Sequence, residues 1–187
     1  MKRLRDYLKK AFPFVKDKTK LVVISVILII FGILYSRFIW QIIFLAVFIA
    51  LGGISKIYHR IFKSTIGIDL VFFTTIMLSL VYRNMFFSLI NAWLGLIIAD
   101  TVAQKFSYTS IVSLIGLTCI VLIARFLPFS LILSAVILDI IFEIYSAISY
   151  ALLGSPPDKI IIYFVTHFLF NMFLIFTFAE SLAGLMV

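Results

Sequence analysis

Charged residues are scarce in this sequence. They make up 13% of its 187 residues, where an ordinary soluble domain carries roughly 25%. Hydrophobic residues make up 64%, and the mean hydropathy is +1.24. A soluble domain of this length has no core large enough for so much apolar surface, and the exposed remainder would drive association. A bilayer removes that problem by acting as the solvent for those side chains. Cysteine is nearly absent as well. Cys119 stands alone, so the sequence holds no internal disulfide; its apolar neighbours lead us to expect a buried thiol behaving as a small hydrophobe. There is no Gly-x-x-x-x-Gly-Lys-[Ser/Thr], so nucleotide hydrolysis would have to come from a partner chain. No Glu-Glu pair, internal repeat or low-complexity segment occurs either.

The formal net charge is +8, and it is unevenly spread. Residues 1–20 hold Lys2, Arg3, Arg5, Lys9, Lys10, Lys16, Lys18 and Lys20, half of the sixteen basic residues. Leu4, Tyr7, Leu8, Ala11 and Phe12 recur at helical spacing until Pro13. This reads as a short amphipathic helix lying on an anionic membrane leaflet. Nucleic acid is the usual rival partner for a basic run, but this run abuts an apolar segment, and no nucleic-acid partner is expected. A secretory signal peptide would need a small-residue cleavage site, which Leu34-Tyr-Ser-Arg-Phe-Ile-Trp40 does not supply.

Apolar segments follow at Leu21–Ser36, Phe38–Ile54, Ile66–Tyr82, Met85–Val102, Thr109–Leu127, Phe129–Leu153 and Ile160–Leu185. A spanning helix needs about 20 apolar residues, and the last five segments meet or approach that length. Arg37 alone separates the first two, which read as two short spans, a re-entrant hairpin or one long bent helix. The expected fold is therefore an all-α transmembrane bundle of six or seven spans, with residues 1–20 as a basic amphipathic segment and 21–187 as the transmembrane domain. With seven crossings and the N-terminus inside, thirteen basic residues fall inside and three, Arg37, Arg83 and Arg125, fall outside. Lys and Arg resist translocation, so the expected placement is a multi-pass cell-membrane protein with a cytoplasmic N-terminus.

Ionisable groups inside apolar segments each ask for a partner or a purpose. Asp139 and Glu143 are four apart and share a helical face, as do His167 and Asn171. If the connecting turn centres near residues 156–157, Glu143 is level with Phe170, beside Asn171. The four side chains then meet near mid-membrane as a ligand, ion or proton-linked site, or as a hydrogen-bonding clamp between helices. One histidine and two acids make a thin ligand set for zinc, so no metal is expected. Asp69 and Asp100 match in distance from the turn at Arg83-Asn84 and should face each other near the inner membrane surface, close to Lys63 and Lys105. Asn91 reads as a helix-packing hydrogen bonder, and Arg125 as a side chain that reaches the outer headgroups. Tyr35, Trp40, Tyr82 and Tyr163 lie near segment ends, where aromatic belts form.

Gly67-Ile-Asp-Leu-Val-Phe-Phe73, then Leu94-Gly-Leu-Ile-Ile-Ala-Asp100, then the late Asn171 form a pattern. Over residues 38–187 it resembles the substrate-binding S-components of energy-coupling factor (ECF) transporters and the related rod-shape protein MreD. Members often have Gly-Pro where this chain has Arg83-Asn84. The resemblance implies about six helices. It also implies a partner-docking face of small residues, for which Ala46 and Ala50 stand four apart, a spacing that lets another helix approach closely. His167-x-x-x-Asn171 also resembles the last motif of the CAAX-protease family, whose Glu-Glu-x-x-x-Arg motif is missing here.

The functional expectation is a membrane subunit that binds a small molecule in a transmembrane pocket, with Asp139, Glu143, His167 and Asn171 as ligand-binding residues. Its partners would be other membrane subunits, including an ATPase module, and it would have no cofactor and no catalytic residues. The alternative is an MreD-like scaffold or assembly subunit without a ligand. An intramembrane hydrolase using His167 stands third.

Overall fold

The computed structural model describes residues 18–57 and 67–187, without the side chains of residues 18–20, 31, 33 and 34. The basic amphipathic segment expected over residues 1–20 therefore lies almost wholly outside the described residues. The chain divides into two compact units, Met1–Ile39 and Trp40–Val187. Helix α1 is Lys18–Ser55, and it joins the two apolar segments that Arg37 divides in the sequence. Helix continuity there has a simple cause. Ser36 and Arg37 are not chain breakers, Arg is a good helix former, and a reversal would need Gly or Pro at this point.

All described secondary structure in the second unit is helical. After α1 come α2 (Val71–Tyr82) and α3 (Met85–Val102). They are followed by α4 (Tyr108–Ala124), α5 (Leu131–Leu152) and α6 (Pro157–Met186). Four helices are long and apolar enough to cross a membrane: Tyr35–Ser55 within α1, and α3, α5 and α6. Their outward faces carry large apolar side chains, such as Ile54, Trp93, Ile144 and Leu169. Water would not tolerate that surface, whereas lipid is indifferent to it.

The elements of this unit alternate in direction. At one end, the Leu70 amide donates to Ser55 Oγ at 3.0 Å. At the other, Trp40 Nε1 donates to the Leu185 carbonyl at 3.0 Å, and Asn84 Nδ2 to Gln41 Oε1 at 3.4 Å. The core runs between the ends. Val71 to Met77 are all buried, which makes α2 the centre of the bundle; its polar members Thr74 and Ser79 bond back to carbonyls of their own helix region, Leu70 and Thr75. Its last turn, Leu78–Tyr82, and the Asn91–Gly95 turn of α3 are π-helical. Asn91 is fully buried there, and its Nδ2 donates to Thr74 Oγ1 and Thr75 Oγ1 at 3.0 Å each.

Helix α2 starts later than the apolar run that begins at Ile66. Residues 67–70 are not helical, because the Asp69 carboxylate accepts from the Val71 and Phe72 amides at 3.1 and 3.4 Å. Such local bonding competes with another helical turn. Gly67 meanwhile lies against α6. A Cβ there would stand 2.6 Å from His167 Cβ and 3.0 Å from the Tyr163 carbonyl oxygen. Only glycine permits that approach, and the Gly67 amide uses it to donate to Thr166 Oγ1 at 2.8 Å.

Two expectations change. Cys119 is exposed, not buried. Helix α4 buries Gly116, Leu117, Ile120 and Val121, and Cys119 falls on the opposite face. Tyr163 does not join an aromatic belt: its ring stacks on the His167 imidazole at a centroid distance of 5.3 Å.

Candidate functional site

The two polar constellations seen in the sequence form one network. At its outer end, Lys56 Nζ donates to Asp100 Oδ1 at 2.9 Å and pairs with Asp69 Oδ2 at 3.3 Å. Asp69 Oδ2 in turn lies 4.0 Å from His167 Nε2. On the far side of the ring, His167 Nδ1 meets Glu143 Oε1 in a hydrogen bond and lies 3.0 Å from Asn171 Nδ2. Asn171 Nδ2 donates to Asp139 Oδ1 at 3.0 Å. Asp139, Glu143, His167 and Asn171 are each at most 1% exposed, which places the whole inner part of the network out of solvent.

Packing explains why the ring holds its place. Tyr163 covers one face of the imidazole, and Phe72 and Phe142 stand at 5.5 and 5.6 Å. The meeting of α5 with α6 differs from the sequence reading by about one helical turn. Pro157 is the first residue of α6, a position that suits proline because its missing N–H has no helical partner there. The connecting turn therefore centres earlier than Pro156-Pro157, and Glu143 faces His167 instead of Phe170. The four predicted residues still come together.

A cavity of about 330 Å³ opens beside this network, at the end of the bundle where Lys56 sits. Lys56, Asp69, Asp100, Lys105, Lys159, Ser113, Tyr150 and Tyr163 are among its walls. Asp139, Glu143, His167 and Asn171 are not; they lie behind Asp69 and Tyr163, which belong to both the cavity and the network. The irregular backbone at 67–70 contributes Gly67 and Asp69 to the wall.

Electrostatics at the mouth are set by competition. Burial would lower the Lys56 ammonium, but the carboxylates of Asp69 and Asp100 outweigh it and hold the lysine above its ordinary value. Burial would raise Asp69, yet Lys56 first and His167 next bring its carboxyl below the usual value. Lys105 is held low by partial burial and by Lys56, with Asp100 opposing.

Lys56 is the residue that sequence reading missed, since it entered only as one of the thirteen basic residues counted on the inside. The level-matching that paired Asp69 with Asp100 would have found it if extended to the end of α1. Tyr150 gave no sequence signal at all; its hydroxyl lies 3.2 Å from Ser113 Oγ inside the cavity wall. Ala46 and Ala50 are both exposed on α1, away from cavity and network. Comparison with family models, curated proteins and solved structures finds no match for this chain.

Proposed function

We propose that this chain is a multi-pass membrane subunit that binds a small, anion-bearing molecule in the cavity at the Lys56 end, in the manner of a transporter S-component. The cavity itself carries this reading. Its volume of about 330 Å³ lies within the range of small-molecule sites, about 300–1,000 Å³. Its walls combine apolar surface with convergent polar groups. Lys56, Lys105 and Lys159 outnumber Asp69 and Asp100, and both carboxylates are committed to Lys56. The lining therefore favours a ligand with negative charge. Basic residues Lys56, Lys105 and Lys159 at this end, with Arg60 and Lys63 between α1 and α2 in the sequence, support a cytoplasmic position for the cavity.

The test is purification in mild detergent, followed by denaturation and mass spectrometry of what is released. One compound at near-equal stoichiometry is expected from the wild type. Ser113→Trp, which fills the space, should release none while keeping its helical circular dichroism. Recovery of the same compound from Ser113→Trp, or of lipid alone from the wild type, would count against the reading.

A second reading, a scaffold or assembly subunit, is favoured by the exposed pair Ala46 and Ala50. Small residues at that spacing let a foreign helix pack closely. Under this reading Ala46→Leu with Ala50→Leu strips copurifying membrane chains, and Ser113→Trp does not. The two readings are compatible if the docked chain is an ATPase module.

A further inference from the structure

We infer that Asp139, Glu143, His167 and Asn171 hold a divalent transition-metal ion between α5 and α6, at a site separate from the cavity. One ligand atom from each of Asp139, Glu143 and His167 lies within 4.8 Å of the others. Ligands about 2.0–2.2 Å from a tetrahedral zinc ion sit roughly 3.4 Å apart, so rotamer-scale movement closes this set on one ion.

Unsatisfied oxygens point to the ligand independently. Asp139 Oδ2, Glu143 Oε2 and Asn171 Oδ1 are buried with no hydrogen-bond partner, and so is Ser146 Oγ on the same face of α5. Buried polar atoms are satisfied in the great majority of cases, and a group of orphaned acceptors in one place is what a cation would satisfy. Asp139 and Glu143 together carry the charge that one divalent ion cancels, which matters most where the surroundings are apolar.

The second nitrogen of His167 supports the same assignment. Nδ1 faces Glu143 and Asn171, whereas Nε2 faces the Asp69 carboxylate at 4.0 Å. A metal-bound histidine usually directs its other ring nitrogen to a carboxylate, which orients the ring and raises its basicity. Asp69 is itself anchored by Lys56 at 3.3 Å. The donor set selects the class of ion. An imidazole with carboxylates suits zinc, manganese, iron or cobalt, while magnesium prefers an all-oxygen octahedron.

The experiment uses the full chain in detergent, stripped with a chelator and then offered Zn²⁺, Co²⁺ or Mg²⁺ alone. The wild type should retain one Zn²⁺ per chain through gel filtration, melt at a higher temperature when reloaded, and give the intense visible bands of low-coordinate Co²⁺. Asp139→Asn with Glu143→Gln should lose retention, bands and the melting shift together. Ser113→Trp in the cavity should keep all three, which separates failure of this site from failure of the cavity reading. A wild type that retains no Zn²⁺ and shows no melting shift overturns the inference. So does equal retention of Mg²⁺, or retention that survives the double substitution. If the double variant does not fold, the Co²⁺ spectrum of His167→Gln decides: unchanged bands overturn the assignment.

Discussion

At the residue scale, Lys56 has the largest single effect on the mouth of the site. Its side chain and that of Asp69 are 13% and 10% exposed, and it neutralises two carboxylates that otherwise face each other. Lys56→Met should destabilise the protein by about 3 kcal/mol, the usual cost of leaving a buried charge uncompensated. The pH dependence follows from the two shifts. Asp69 is lowered from 3.8, so its contribution is complete above that value and disappears as pH falls through the lower folded value. Lys56 is raised from 10.5, so its contribution is complete below that value and is lost only as pH climbs past the raised one. Stability from this pair should be flat across neutral pH. Lys56→Met should move the acid transition upward, as Asp69 loses the cation that lowers it; denaturation in micelles at a series of pH values measures this. Gly67→Ala tests the close approach to α6. Its Cβ meets His167 and the Tyr163 backbone, and overpacking of this kind costs about 1–3 kcal/mol, read as a lower melting temperature.

At the scale of elements, α2 and α3 are joined by a polar contact inside an apolar interface. Asn91 Nδ2 serves Thr74 and Thr75 together. Interhelical hydrogen bonds in membranes contribute about 0.6 kcal/mol on average and at most about 1.7. Asn91→Ala should therefore cost about 1 kcal/mol in a detergent unfolding titration. Far larger losses would mean that the π-helical turn at Asn91–Gly95 depends on this side chain. The position of Asn91 as a packing residue was legible from its depth in an apolar run. The π-helical turns were not, because an inserted residue leaves no mark on hydropathy. The late start of α2 was hidden for a related reason: Ile66 to Leu70 is apolar enough to continue a helix, and only the bonds of Asp69 to the following amides end it.

At the scale of the molecule, the cavity end and the Trp40 end of the second unit should lie on opposite sides of a membrane. With Cys119 replaced by Ala, Phe106→Cys should react with an impermeant maleimide from the cytoplasmic side alone, and Phe126→Cys from the other side alone. Both positions are exposed at 54% and 83%. Labelling of both from one side would refute the alternating arrangement. Cys119 needs removal because it is exposed on the outer face of α4.

Composition and hydropathy by themselves determined that the chain is helical and apolar, and roughly where most of its helices lie, since those properties are sums over local side chains; the joining of the first two segments into α1 and the start of α2 at Val71 were not among them. They also marked Asp139, Glu143, His167 and Asn171, because ionisable groups in apolar runs stand out one by one. Tertiary structure alone decided the rest. It turned Lys56 onto both Asp69 and Asp100, set Asp69 between Lys56 and His167, and opened the cavity between Tyr150, Tyr163 and Ser113. These depend on which helix faces are apposed and in what register. A shift of a few residues in the turn before Pro157 was enough to exchange Phe170 for His167 opposite Glu143, and no local property of the sequence carries that information.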